Sequence, residues 1–138
     1  KLTLNGDVKL YLDSTATALN ITSNGQLVIL GTVTIYSDGD LNISGNGVAN
    51  KSSLPANCVI YCTDDVHNVS FSGNGNLCGA IYAPDAAITV SGNGDVYGSL
   101  VGNSFTDTGN GTIHYDEALK NTGLGSQYKV TSWKEDHG

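Results

Sequence analysis

One short turn motif recurs along this 138-residue chain and limits its fold more than any other feature. The same Ser-Gly-Asn-Gly turn, or a close variant, occurs at four sites, after a β-branched or aromatic residue at three of them and after Asp107 at the fourth, and a looser version precedes them. Counted between their asparagines, the repeats are separated by 22, 28, 19 and 17 residues. A period near 20 residues is typical of solenoids, in which each repeat forms one coil. The motifs are "ITSNG" (21–25), "ISGNG" (43–47), "FSGNG" (71–75), "VSGNG" (90–94) and "DTGNG" (107–111).

The segments between the turns alternate apolar and polar residues, as in "TVTIYS" (32–37) and "AITV" (87–90). Alternation of this kind is typical of short strands with one buried face. The sequence therefore predicts an all-β fold, a right-handed single-stranded parallel β-helix of five to six coils. The long 28-residue interval predicts an inserted loop at 48–57.

We interpret the chain as a single domain, with coils over residues 1–114 and a C-terminal cap over 115–138. Asp116 is placed to begin a short helix in the cap, and "YKVTSWKE" (128–135) predicts a final strand. Leu119, Tyr128 or Trp133 is expected to plug the open end of the solenoid. Exposure of Trp133 to a sugar or a partner is the alternative.

Composition excludes two classes of partner. The chain has 18 glycines and 6 basic residues, all lysine, and a net charge of −7. Nucleic acids and anionic membranes bind clustered basic residues, so neither is an expected partner. The chain opens on Lys1 rather than Met, which led us to interpret it as a processed segment.

The asparagines of the turn motif are predicted to stack. In a solenoid, equivalent residues of successive coils lie about 4.8 Å apart. Their amides can then form a ladder of hydrogen bonds, and the flanking glycines are expected to supply positive φ angles. The predicted turn ladder consists of Asn46, Asn74, Asn93 and Asn110.

A long stretch of the sequence resembles a known family. The run "GNLCGAIYAPDAAITVSGNGDVYGSLVGNSFTDTGNGTIHYDEAL", with "YKVTSWKE" after it, resembles a bacterial Gly-rich β-helix domain of unknown function. The upstream "TVTIYSDGDLNISGNGVANKSSLPANCVIY" is similar to it as well. That domain occurs at the C-terminal end of exported pilus-assembly-like proteins. The resemblance implies a β-helix outside the cytoplasm or at the cell surface and supplies no catalytic residues.

The three cysteines depart from that family's pattern. Aligning "CVIYC" with "GAIYA" places Cys58 level with Gly79, one residue from Cys78 in the next coil. The prediction is a Cys58–Cys78 disulfide, which export would favour. Cys62 lies four residues along an extended strand from Cys58, too far to pair with it, and is expected to stay free.

The acidic and histidine residues form no recognisable catalytic or metal-binding pattern. "SDGD" (37–40) lacks the spacing of a calcium-binding loop, and His67, His114 and His137 fall in unrelated contexts. A hydrolase would need a carboxylate pair, for which Asp64, Asp65 and Asp85 are the candidates. We expect no catalytic residue, no cofactor and no metal.

These observations predict a non-enzymatic structural or adhesive module of a bacterial surface or pilus-associated protein. The alternative is a β-helix that binds carbohydrate or degrades polysaccharide. The domain is expected to be a monomer whose partners are pilin-like proteins or surface glycans. Irregular loops should carry the contacts, and deletion of 49–55 is expected to leave stability nearly unchanged. The candidate partner residues are Lys51, Leu54, Asp64 and Asp65.

Overall fold

A computed structural model describes residues 1–121 of the chain as a stack of short parallel strands. The predicted strand 128–135 and the predicted end plugs Tyr128 and Trp133 lie outside the described residues. The twelve strands are β1 (Leu2–Leu4), β2 (Asp7–Leu12), β3 (Thr17–Ile21), β4 (Leu27–Ile29), β5 (Thr32–Ser37), β6 (Asp40–Ile43), β7 (Val48–Asn50), β8 (Cys58–Cys62), β9 (Asn68–Phe71), β10 (Leu77–Val90), β11 (Val96–Asp107) and β12 (Ile113–Tyr115).

The strands wind as about five coils, with β12 beginning a sixth. Each coil has three sides, so equivalent strands form three parallel faces. The first face contains β1, β4, β7, the start of β10, the start of β11 and β12. The second contains β2, β5, β8 and the middle of β10 and β11; the third contains β3, β6, β9 and the ends of β10 and β11. The predicted all-β solenoid is confirmed.

The core fills the inside of the coils because alternate residues of every strand point inward. On the second face, Ile35, Ile60 and Ile81 form one column in strict register, and all three are at most 1 % exposed. Burying one such side chain contributes about 1.5–3 kcal/mol. Truncating Ile60 to Ala would cost about 2–5 kcal/mol, since the coils above and below would then face a cavity.

The glycines of the turn motif are required mainly for close approach between coils, which corrects the expectation that all supply positive φ. Of the motif glycines, only Gly45 and Gly47 have positive φ, at +62° and +67°. Their turn runs directly into Val48, one residue earlier than in later coils. In those later coils, a Cβ on Gly92 would lie 2.0 Å from the Gly73 carbonyl oxygen. No side chain fits where backbone contacts backbone.

The predicted insertion at 48–57 is shorter than expected. Residues Val48–Asn50 form strand β7, which pairs with β4 on one side and β10 on the other. The excursion therefore covers residues 51–57 and ends in a 3₁₀ turn at Pro55–Asn57. Buried Asn50 donates hydrogen bonds to the carbonyl oxygens of Leu54 and Cys78, at 2.8 and 3.2 Å. Deleting 49–55 would remove part of β7, so the structure instead predicts that this deletion destabilises the domain.

The start of the predicted cap lies on the side of the solenoid. Residues Glu117–Asn121 form a 3₁₀ turn rather than an α-helix. As predicted, Asp116 caps this turn, because its Oδ1 accepts a hydrogen bond from the backbone N–H of Ala118 at 2.9 Å. Leu119 is 2 % exposed and packs on Val59 and Ala80, which point outward from the second face. The expectation that Leu119 plugs the end was therefore wrong. Within residues 1–121, no helix has the length and apolarity needed to cross a bilayer.

Candidate functional site

A groove lies on the outside of the first face, within the part of the chain that the structure describes. It has a volume of about 580 Å³ and runs between the turn-motif corner and the excursion at 51–57. Small side chains form its floor, side-chain amides form one wall, and an aromatic ring closes one end. We call it the amide groove and define it by Asn46, Asn74, Asn76, Ala49, Cys78 and Tyr97.

The groove exists because one outward column of the first face changes abruptly in side-chain size. Ala49 and Cys78 occupy this column in the third and fourth coils, and Tyr97 and His114 occupy it in the next two. The Tyr97 and His114 rings stack with centroids 4.8 Å apart and planes 8° apart. Because His114 covers the ring face toward the following coil, the other face of Tyr97 is directed along the column toward Cys78.

A hydrogen-bond network fixes the orientation of Tyr97. Its hydroxyl donates to Asp95 Oδ2 at 3.2 Å. Asp95 Oδ1 accepts from both the backbone N–H and the hydroxyl of Thr112, at 2.9 and 2.8 Å. Thr112 Oγ1 also contacts His114 Nε2 at 2.8 Å. The bonds from the Thr112 backbone and side chain lower the pKa of Asp95, and the Asp95 bond raises the pKa of Tyr97. The carboxylate therefore acts as a fixed acceptor that positions the ring.

The amide wall offers both donors and acceptors. Asn46 uses its Nδ2 to reach the Asn24 carbonyl oxygen, which leaves its Oδ1 without a partner in residues 1–121. Asn74 and Asn76 accept hydrogen bonds through their Oδ1 atoms. Within residues 1–121, their Nδ2 groups donate to no other residue. One carbonyl oxygen and two amide NH₂ groups are thus available to a ligand in the groove.

The predicted asparagine ladder forms over three of its four members. Asn93 donates to Asn74 Oδ1 at 2.8 Å, and Asn110 donates to Asn93 Oδ1 at 2.9 Å. Asn46 instead bonds a backbone carbonyl of the preceding turn. Its turn is one residue shorter, which changes the geometry where the second and third coils meet. This ladder holds the corner that carries the amide wall.

A second aromatic column, on the second face, is unsuited to binding by stacking. Tyr11, Tyr36 and Tyr61 stack in sequence, with centroids 4.9 and 5.6 Å apart and planes 11° and 17° apart. Tyr82 follows at 6.4 Å, tilted by 59°. The ring faces of the inner members contact one another, so only Tyr11, which is 70 % exposed, presents a broad surface to solvent. The column stabilises the second face, as aromatic pairs on neighbouring strands do.

An acidic corner lies between the second and third faces. Asp13, Asp38, Asp40 and Asp65 line a depression of about 480 Å³ there. Asp40 is committed to the scaffold, since Oδ1 accepts the backbone N–H groups of His67 and Asn68 at 2.9 and 2.8 Å. Burial opposes ionisation of Asp40, but these bonds and one from the Asn68 side chain lower its pKa. Within residues 1–121, no group of three acidic, histidine or cysteine side chains is arranged to hold a metal ion.

The predicted partner residues do not form one surface. Lys51 and Leu54 lie on the excursion before β8, whereas Asp64 and Asp65 follow β8. Strand β8 has five residues, which separates the two groups by about 16 Å. Leu54 is nevertheless exposed at the rim of the excursion, and Asp65 belongs to the acidic corner.

All three cysteines are free thiols in the structure, so the Cys58–Cys78 disulfide is not formed there. The predicted alignment itself is correct, because Val59 pairs with Ala80 and a Cβ on Gly79 would contact Cys58. That one-residue offset turns the two side chains to opposite faces of the sheet. Cys58 lies in the core, whereas Cys78 lines the amide groove. Whether oxidation joins them stays a prediction. Cys62 is buried, as expected for a free thiol.

Sequence reasoning missed the amide groove and Tyr97. The available signal was the order of side chains in one column, which becomes visible when the repeats are aligned. In the outward column of the first face, two successive coils carry the small residues Ala49 and Cys78, and the next coil carries the aromatic residue Tyr97.

Comparison with known proteins identifies a family and little else. No curated protein and no solved structure matches the chain. One family profile, described as "Domain of unknown function (DUF7305)", matches residues 2–122. Since this range covers well over half of the 138 residues, the chain belongs to the DUF7305 family.

Proposed function

We propose that this domain is a non-enzymatic structural module of a bacterial surface or pilus-associated protein, and that it attaches to its target through the amide groove. The solenoid acts as a rigid support, and the target is a surface glycan or a pilin-like protein. The module works outside the cytoplasm and needs no cofactor.

One observation carries this proposal: the two aspartates whose pKa values are lowered, Asp40 and Asp95, accept hydrogen bonds that hold the coils together. Such groups are the first candidates for acid–base chemistry. Here Asp40 accepts two backbone N–H groups and Asp95 accepts one from the following coil, and these bonds lower the pKa of each carboxyl. A general acid must instead hold a proton near neutral pH. Both residues therefore support a scaffold role, while the groove supplies a surface for contact.

A polysaccharide hydrolase is the alternative, and the acidic corner is the feature that favours it. Asp13, Asp38 and Asp65 line one depression in which two carboxylates could flank a glycosidic bond. Within residues 1–121, their side chains accept no scaffold hydrogen bond of the kind that occupies Asp40. Turnover of a polysaccharide, lost in Asp65→Asn, would establish this alternative over the structural role.

The proposed function can be tested in the bacterium that encodes the protein. Intact cells are treated with protease, and the domain is followed by immunoblot beside a cytoplasmic marker. We expect the domain to be cleaved while the marker survives. Cells producing the protein without residues 1–138 should lose attachment to their natural surface. Protection of the domain in intact cells, or unchanged attachment after its removal, would contradict the proposal.

A further inference from the structure

We infer that the amide groove binds a neutral saccharide, whose ring lies against the exposed face of Tyr97. This inference rests on the proposed adhesive function and specifies the ligand class of the same site. The alternative ligand class, a peptide segment of a partner protein, is an outcome of the experiment below.

The aromatic end of the groove is prepared for stacking. His114 covers one face of the Tyr97 ring, and the Asp95 bond to the hydroxyl fixes how the ring is turned. The uncovered face looks along the column over the small side chains of Cys78 and Ala49. A flat group that enters there continues the stack as one more member. The apolar face of a pyranose ring has a suitable shape and polarity for this position.

The wall of the groove matches hydroxyl groups. A sugar hydroxyl both donates and accepts, so it can use Oδ1 of Asn46 and the Nδ2 groups of Asn74 and Asn76, which have no partner among residues 1–121. Asn46 lies in one turn at this corner, and Asn74 and Asn76 lie in the turn of the next coil, so side-chain amides from two coils line the groove. A ligand with repeated hydroxyl groups meets that arrangement better than one isolated polar group would.

Charge decides between classes of saccharide. The residues that line the groove within the described chain carry no charged side chain. Asp95 lies next to Tyr97, and the whole chain has a net charge of −7. An anionic sugar would therefore be repelled without an opposing cation in the groove. The structure thus favours neutral sugars over uronic or sialic acids.

A peptide fits the groove less well. Extended peptides usually bind by adding a strand to an exposed sheet edge, where backbone groups are unpaired. The floor of the groove lies in the middle of the first face, where β10 is paired with β7 and with β11. Only side chains are offered to a ligand there, which suits hydroxyl groups rather than a peptide backbone.

The experiment screens the full chain against an array of neutral oligosaccharides and measures the selected ligands by titration calorimetry. Tyr97→Ala should weaken binding at least tenfold, because it removes the stacking surface. Tyr97→Phe keeps the ring and should stay within about threefold of wild type. Tyr11→Ala removes a more exposed aromatic ring outside the groove and should leave affinity unchanged. Circular dichroism of each variant verifies its fold.

Each contrary outcome has a separate meaning. The inference is overturned if no neutral oligosaccharide binds the folded protein, if Tyr97→Ala binds as well as wild type, or if peptides alone occupy the groove. In those cases, continued attachment of cells through the domain would leave its structural and adhesive role intact, whereas binding unaffected by Tyr97→Ala would place the contact outside the amide groove. Loss of surface exposure or of attachment would refute the proposed function whatever the array gives.

Discussion

Replacing Gly92 with alanine should destabilise the domain severely, although the glycine lies on the surface at a corner. The added Cβ would lie 2.0 Å from the Gly73 carbonyl oxygen, at least 1 Å closer than such atoms come in real proteins. The coils must therefore separate locally. That movement disturbs three backbone bonds: Asn93 to Gly73 at 3.1 Å, Ser91 to Phe71 at 2.8 Å and Asn110 to Gly92 at 3.0 Å.

At about 1 kcal/mol for each bond, the loss is about 3 kcal/mol. For a chain of this length such a loss lowers Tm by about 6–12 °C. Thermal and urea unfolding followed by circular dichroism measures both quantities. Ser91→Ala is the matched control, because Ser91 is exposed at the same corner and its truncation should change stability by less than about 0.5 kcal/mol. Equal stability of the Gly92→Ala and Ser91→Ala proteins would refute the close-approach explanation.

Three further predictions concern stability. Asn93→Ala should cost about 1–2 kcal/mol in urea unfolding, because Asn93 both donates and accepts in the ladder; Asn46→Ala, which loses a single bond, should cost less, and the reverse order would be contradictory. Leu119→Ala should cost about 2–3 kcal/mol, and an unchanged urea midpoint would show that this turn does not dock on the second face. Burial, with a smaller effect of Cys78, raises the pKa of Cys58 to about 12, so the stability that this thiol contributes should be complete below about pH 8.5 and be lost toward pH 12, by at most about 1.4 kcal/mol per pH unit. Burial also raises the pKa of Cys62 to about 12, so Cys58→Ala should reduce the slope without abolishing it, and an unchanged slope would argue against the burial of Cys58.

The architecture was predictable because the spacing of the turn motifs indicates the number of residues in each coil. Once the asparagines are aligned, the pairing of Cys58–Cys62 with the middle of β10 follows, and the structure has that register. The alternation of apolar residues then identifies the inward columns. Both signals are local in the sequence and need no knowledge of distant contacts.

The physical reason why each motif position requires glycine was harder to predict from the sequence. Positive φ is a property of one residue, whereas the constraint at Gly92 comes from a backbone 19 residues earlier. That contact exists only after the coils have stacked. Gly45 and Gly47 differ because their turn is one residue shorter, a detail hidden by the identical letters of the motif.

The site was missed because it depends on a sequence of side-chain sizes rather than on a motif. Irregular loops were expected to carry the contacts, but the groove lies on a regular face beside one such loop. The cysteine prediction considered distance along the strand and neglected the face, which a one-residue offset reverses. Leu119 was predicted to cover the open end of the solenoid because the local sequence does not distinguish that end from the outer surface of a face.

We propose that this domain binds a ligand and does not catalyse a reaction. Proton NMR spectra of neutral oligosaccharides, recorded over time with the purified full chain, test both parts in one sample. We predict broadened sugar signals that sharpen when Tyr97→Ala replaces wild type, with no new anomeric signals at any time. New anomeric signals that grow with time would reveal cleavage of glycosidic bonds and contradict the claim.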